Sequence, residues 1–540
     1  MKFFQTRRQW LKTTGIAGTA GLLSSTASVS PASPSSGMTS AENSIYKTFF
    51  GDLHNHSAYG YARGSLQRAF NIAKSHLDFC AFTPHGFWND ISHYENSIEK
   101  KWLDGFEVTK EGWPDFISLI DQYHRNGKFV VIPGFEWHST NLGDYHILFP
   151  DTEAAEYARF QDLKEFQEFS RRKGAIMIPH HPANRLGHRG TDFRHRDPEI
   201  SPVLEIFSEW GNAEHDRAPS PYIRHTERGR WTRNTMQHLL AQGYRFGVVA
   251  STDDHLGFPG AYREGLAAIK AEDLSRKSIF AAIRARRTYA VSGDRILLDF
   301  SCNGKIMGSE LDNNPERNFS VSVEGWDQMD RVELLKNNRV IKRDFPMDRI
   351  PGSGSWDKPV LTRFEYGWGP WPALDMTRVC DWVFTISIEN GRLESFQPCF
   401  QSGPLEEERL DQVLSHDDNH IKVKSFTALR QQFEDYSTKA VVMKIQGGPE
   451  TKIKIQLESP TRISLTQKFS QLAESNEMLF TGDFPKESAM LHRLVFQDNY
   501  KSEFSFTDKN SGGKDDWYYL RATQANEQYA WSSPIWINGK

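Results

Sequence analysis

Between residues 46 and 293 the chain alternates two textures. Short apolar runs at 46–53, 77–83, 129–134, 144–149, 175–179, 203–207, 245–250 and 265–269 predict β-strands. Stretches at 65–76, 113–127, 161–173, 232–242 and 275–286 carry apolar residues at the three- and four-residue spacing of a half-buried helix. Strands and helices taking turns predict an α/β unit with a mainly parallel sheet, closing as a barrel. After Arg295 the helical period fades. Runs at 319–323, 332–335, 382–388, 440–445, 452–457, 517–522 and 533–537, separated by turn formers, predict an antiparallel β-sandwich or jelly roll interrupted by one helical piece at 426–433. No repeat recurs at a fixed period, which argues against a solenoid or propeller.

A chain of 540 residues is too long for one ordinary core. The expected organisation is a leader over 1–40, an α/β unit over 45–294 and an all-β unit over 295–540. In the leader, Thr6-Arg7-Arg8-Gln9-Trp10-Leu11-Lys12 precedes a modest apolar run at 15–23 that gives way to Ser, Ala and Pro. This resembles a bacterial twin-arginine export signal, so the protein is expected in the periplasm or outside the cell. No segment reaches the roughly 18 uninterrupted apolar residues of a membrane span. With no cysteine near the leader's end, a lipid anchor is not expected either.

The formal net charge is −4, and the leader's Lys2, Arg7, Arg8 and Lys12 are among its positive charges. Bulk charge therefore gives no reason to expect a nucleic-acid or anionic-membrane partner. Four cysteines, Cys80, Cys302, Cys380 and Cys399, exclude a disulfide-built scaffold. Cys80 lies in an apolar run and reads as a buried thiol, while a bridge between Cys380 and Cys399 across two strands stays open.

The chemistry gathers at strand ends. His54 and His56 close the first run, and side chains two apart on an extended backbone point the same way, so the two imidazoles can grip one ion. Among 19 histidines that pair alone is weak. Later ends carry Thr83-Pro84-His85, Gly134-Phe135-Glu136, Pro179-His180-His181-Pro182 and Asp253-Asp254-His255, and His146 lies inside the run at 144–149. Because the carboxyl ends of parallel strands open onto one face, these groups are expected to converge as a polynuclear metal site. Mixed nitrogen and oxygen donors suit zinc, manganese or iron better than calcium. Arginines are frequent between Arg185 and Arg233. Guanidinium groups grip phosphate oxygens two at a time, and Arg185 and Arg189, nearest the histidine pair, are the candidate substrate-binding residues.

Together these motifs resemble the polymerase-and-histidinol-phosphatase (PHP) superfamily. More narrowly, Arg286-Arg287-Thr288-Tyr289-Ala290-Val291-Ser292-Gly293-Asp294-Arg295, Trp517-Tyr518-Tyr519-Leu520-Arg521-Ala522 and Ala530-Trp531-Ser532-Ser533-Pro534-Ile535-Trp536 resemble its exported DUF3604-like branch, related to carbaryl-hydrolase-type metallohydrolases. The resemblance implies a distorted (β/α)7 barrel with two or three divalent metal ions. It implies that His54, His56, Glu136 and Asp253 hold one ion, and that Glu136 bridges to a second held by His146 and one of His180 and His181. His85 and His255 would face a third. The Ile-Pro-His pattern favours His180 as the ligand, and the His-Pro-Ala-Asn pattern favours His181. Two departures weaken the third position: Tyr59-Gly60-Tyr61-Ala62 stands where an Asp or His is usual, and Pro84 replaces an acidic residue.

The expected activity is hydrolysis, foremost of a phosphate ester, by a metal-activated hydroxide held at Glu136 and Asp253. A small-molecule or glycan-linked ester is the expected substrate. The same centre would serve a carbamate, carboxylic ester or amide. A third possibility is a non-catalytic protein binding an anionic envelope polymer, for which 15 tryptophans supply stacking surface. The all-β unit is expected to buttress the barrel or shape one side of its mouth.

Overall fold

The computed structural model describes residues 45–539 apart from 92–96, 221–228, 368–378, 401–408, 429–437, 484–485 and 510–512. The leader, Arg224, Arg228 and most of the helical piece expected at 426–433 lie outside the described residues. The protein is a mixed, strand-rich α/β molecule. No helix among the described residues is long and apolar enough to cross a membrane.

The elements of the first half are β1 (Lys47–Asp52), α1 (Leu66–His76), β2 (Phe79–Phe82), β3 (His85–Trp88), α2 (Ser97–Tyr123), β4 (Val130–His138), β5 (Asp144–Leu148), α3 (Leu163–Arg172), β6 (Ile176–His180), β7 (Val203–Ser208), β8 (Gly211–Asn212), α4 (Met236–Ala241), β9 (Gly247–Ala250), β10 (Leu266–Ala271), α5 (Arg276–Arg284) and β11 (Thr288–Val291). Local chemistry sets the helix starts. Ser65, Asp162 and Ser275 cap α1, α3 and α5, each accepting the backbone N–H three residues on. Leu66, Ala69, Phe70 and Ala73 then turn one face of α1 into the core. Helix α2 begins at Ser97 rather than at residue 113. Pro114, whose missing N–H suits a first helical turn, lies inside the helix instead.

Among the described residues of the first half, β1–β2–β4, β3–β4 and β7–β9 pair in parallel, whereas β4–β5–β6 and β1–β10–β11 are antiparallel. The expectation of a mainly parallel sheet is thus corrected. The link from His138 to Asp144 is too short for the crossover that a parallel pair needs. Among the described residues, hydrogen bonding does not close the strands into one ring. β6 ends the large sheet, and β7, β8 and β9 form a small one of their own.

On its other side the large sheet runs past residue 295: β11 pairs with Tyr529–Ser532, which leads to Asp516–Gln524 and Ile535–Ile537. Further along the chain, a nine-stranded sheet contains Val379–Cys399 and Thr438–Ser459, and the latter takes in the two runs expected separately at 440–445 and 452–457. Alternate residues Trp382, Phe384, Ile386 and Ile388 build its core, joined by Ile72 of α1 and by Phe258. Phe426–Ala428 belong to strand His420–Ala428, not to a helix. Cys380 and Cys399 stand near opposite ends of one strand instead of facing each other across two.

Candidate metal centre

Strand register assembles most of the site. His85 pairs with Glu136 across β3–β4, and Glu136 pairs with His146 across β4–β5, so the three side chains form a row on one face. Two residues along β4, His138 falls on that face again. It brings its Nδ1 within 3.8 Å of Asp144 Oδ1, and Asp144 in turn pairs with His180 of β6. β4 therefore runs farther than the sequence pattern suggests, with Glu136 inside the strand.

The remaining donors come from loops that follow β1 and β9. His54 C=O accepts from Asp253 N–H at 2.8 Å, and His56 N–H donates to Asp254 C=O at 3.0 Å, so the backbones of the two loops lace together. Asp52, fully buried, fastens the same junction: it accepts from Thr252 Oγ1 at 2.6 Å, from Thr252 N–H and Gly260 N–H at 3.1 Å, and from His54 N–H at 3.2 Å. Burial pushes its carboxyl up to about 7 against those four donors. Asp253 holds φ +54°, a left-handed conformation that a non-glycine residue adopts at some cost.

His54 and His56 bring their Nε2 atoms to 3.1 Å from each other, and those of His85 and His255 are 3.2 Å apart. Asp253 Oδ1 lies 2.8 Å from His56 Nε2, while its Oδ2 lies 2.9 Å from His180 Nε2 and 3.6 Å from His181 Nε2. Glu136 Oε2 is 3.5 Å from His56 Nε2 and 3.7 Å from His54 Nε2. Behind them, Glu205 of β7 holds His180 Nδ1 at 2.6 Å and lies 3.4 Å from His54 Nδ1, which turns both Nε2 atoms inward.

Burial opposes every charge here, and neighbours decide the balance. His54 is desolvated, yet Asp253, Glu136 and Glu205 hold it well above the usual imidazole range. His180, equally buried, is raised to about 9 by Glu205 and Asp253. His56 falls to about 3 through burial and the adjacent His255. His85 and His146 are pushed well below the usual range by burial and by neighbouring imidazoles. Despite burial, Glu136 stays ionised through His138 and His54, and Asp253 through His180 and His54.

These residues fit a divalent cation. His146 is fully buried, yet neither of its ring nitrogens has a hydrogen-bond partner; His56 Nδ1 and His85 Nδ1 are likewise buried without one. A neutral imidazole carries one N–H and one lone pair, and burying both unmet is costly. Several rings turned together beside ionised carboxylates form a donor set that a cation satisfies. The sets His54–His56–Asp253, His54–Glu136–His180, His54–His146–Glu205, His56–His85–His255 and His85–Glu136–His138 each place one donor atom per residue within 4.8 Å of the others.

Of the two arginines singled out, Arg189 reaches the edge of the cluster and Arg185 stands exposed on the loop before it. Arg189 (φ +65°) pairs with Asp144, donates from Nη2 to His138 Nδ1 at 3.1 Å and lies over Trp88 at 4.9 Å, with its Nε buried and lacking an acceptor. Three participants escaped the sequence reading. His138 follows Glu136 by two in a strand read as ending sooner, and Glu205 is a carboxylate inside the apolar run at 203–207. Tyr61, noted in the sequence only as a departure from the resemblance, stacks on His85, the ring centroids 3.4 Å apart.

A family model described as a protein of unknown function, DUF3604, matches residues 260–320. An uncharacterised protein of Chlamydia pneumoniae is 29% identical over 267 residues, covering 45% of this chain and 43% of the relative. One from Chlamydia trachomatis is 25% identical over 268 residues with the same coverage. The chain thus spans less than half the length of these relatives. A solved two-domain protein of Bacteroides vulgatus, described as containing a predicted PHP-like metal-dependent phosphoesterase, matches at 12% identity and a TM-score of 0.29, covering 81% of this chain and all of that one. The lesion-specific endonuclease PfuEndoQ of Pyrococcus furiosus matches at 14% identity and a TM-score of 0.25, over 44% of this chain and 56% of its own. At such TM-scores the two likenesses carry no weight for fold or activity.

Proposed function

We propose that this protein is an exported, metal-dependent phosphoesterase. The observation that carries the reading is the buried convergence of unpartnered imidazoles with the ionised carboxylates of Glu136 and Asp253. His54, His56, Glu136 and Asp253 would hold one ion, and His146 and His180, with Glu136 bridging, a second. His85, His255 and His56 form an optional third set that lacks a carboxylate of its own. When bound, zinc, manganese or iron would supply Lewis acidity, lowering the pKa of water and offsetting charge on a phosphoryl oxygen.

The chain's own groups do the rest. Glu136 and Asp253 would hold the attacking water by accepting hydrogen bonds from it, and Glu205 keeps His54 and His180 in orientation. Arg189 adds a fixed cation for a phosphoryl oxygen. That cation is already paired with Asp144. The pairing favours, as a second reading, an uncharged carbonyl substrate such as a carbamate or carboxylic ester. Export rests on the twin-arginine leader, which suits loading of the centre before transport.

Elemental analysis of the purified chain, with a hydrolase panel on the same preparation, tests the reading. At least one ion per chain, and phosphate release from a nitrophenyl phosphate, are expected. His54→Ala and Asp253→Ala should each cost more than the roughly 10–100-fold that loss of an outer-shell partner costs. Cleavage of aryl carbamates without phosphate release would select the second reading. Less than one ion per chain, or full turnover in Asp253→Ala, would refute both.

A further inference from the structure

Among the histidines and carboxylates of the cluster, the His255 side chain keeps 26% of its exposure, whereas those of His54, His56, His85, Glu136 and Asp253 keep 3% or less. Aromatic rings pack around His255. Tyr61, partly exposed, stacks on His85 at 3.4 Å and 20° and has its centroid 6.2 Å from that of His255. Trp210, also partly exposed, stands edge-to-face with His255 at 5.9 Å and with His181 at 5.8 Å, spanning the loops that end β6 and β9.

The backbone holds this rim in place. A Cβ on Gly105 of α2 would lie 2.8 Å from Tyr61, and one on Gly60 would lie 3.0 Å from His85 Nδ1, so α2 and the loop after β1 press Tyr61 onto His85. Trp210 follows β7 directly, its N–H donating to Ser208 Oγ at 3.2 Å. The apolar faces of large rings add nothing to ligation at a polar, ion-binding centre. A flat apolar group on the substrate does gain from them, through stacking and area removed from water.

We infer that Tyr61 and Trp210 form a subsite for an aromatic group on the leaving alcohol, so that the substrate is a phosphate ester of an arene-bearing alcohol. The inference rests on the phosphoesterase reading above. In the reaction, water adds its oxygen to phosphorus, the P–O bond to the alcohol breaks, and the alcohol leaves with the proton; no other co-reactant is needed.

Benzyl phosphate and ethyl phosphate, whose leaving alcohols are similarly acidic, test it on the metal-loaded full chain. Benzyl phosphate should be preferred about tenfold in kcat/KM, the size expected of two aromatic contacts. Phenylphosphonate should bind more tightly than methylphosphonate by a similar factor in calorimetry, a readout that needs no turnover. Trp210→Ala and Tyr61→Ala should each draw both ratios toward one, and Trp210→Phe should restore much of the preference. Metal content and circular dichroism of each variant show whether it has folded, and Trp210→Phe keeps the test alive if an alanine variant has not. Equal handling of benzyl and ethyl phosphate, or a preference that neither alanine variant changes, would overturn the subsite while leaving the phosphoesterase reading in place. Absence of hydrolysis and of phosphonate binding would overturn both.

Discussion

The carboxylate of Glu205 lies against the Nδ1 atoms of two histidines, 2.6 Å from His180 and 3.4 Å from His54. It thereby fixes which ring nitrogen of each presents a lone pair to the centre. Glu205→Gln keeps the shape and removes the charge, so affinity for the ion should fall about 10–100-fold while the fold persists. Chelator competition on the purified variant measures this, and unchanged affinity would reduce Glu205 to packing. His54, Glu136, His146 and Asp253 are legible in the sequence as imidazoles and carboxylates following or punctuating short apolar runs, and the structure brings them together. Glu205 sits mid-strand, where an apolar run conceals which face looks inward until the register of its neighbours is known, and His138 ends β4 beyond the apolar run that marks the strand in the sequence.

At the level of elements, hydrophobic period located most strands and helices of the first half to within a few residues, though not β3, β8 or β11. It could not give their direction, because an alternating or apolar run reads the same in a parallel or an antiparallel pair. The short link between β4 and β5 was the one readable sign of a reversal. Period also misplaced the start of α2, through Pro114. That exposed residue leaves the carbonyl of Lys110 without its helical donor. Replacing it restores the bond but gives back chain freedom in the unfolded state. The balance for Pro114→Ala should be a stabilisation of roughly 1–2 kcal/mol, from a helix-interior penalty near 3. Calorimetric scans of variant and parent, run side by side, should show a higher Tm for the variant; a lower Tm would mean that the ring packs against something the helix needs.

Across the whole molecule, the textures before and after residue 295 belong to one body. β11 finds its outer partner in Tyr529–Ser532, and Glu214, fully buried after β8, is met by Tyr519 Oη at 2.8 Å and by Arg521 Nη1 and Trp531 Nε1 at 2.9 Å. A chain ended at residue 294 would leave the β11 edge bare and strip Glu214 of those three donors. Breaking a buried charge away from its partners costs about 3–5 kcal/mol, and a bare edge invites aggregation. The 45–294 fragment should therefore be insoluble or melt without cooperativity, as centrifugation and circular dichroism would show. A soluble fragment with a sharp transition would prove the first half autonomous. Trp531→Phe sharpens the test by removing one donor and leaving the sheet, for a loss of roughly 1–3 kcal/mol. Since Glu214 lies just past Trp210 on the same short segment, that variant should also loosen the rim at the metal centre, so its preference between benzyl and ethyl phosphate should weaken along with its stability.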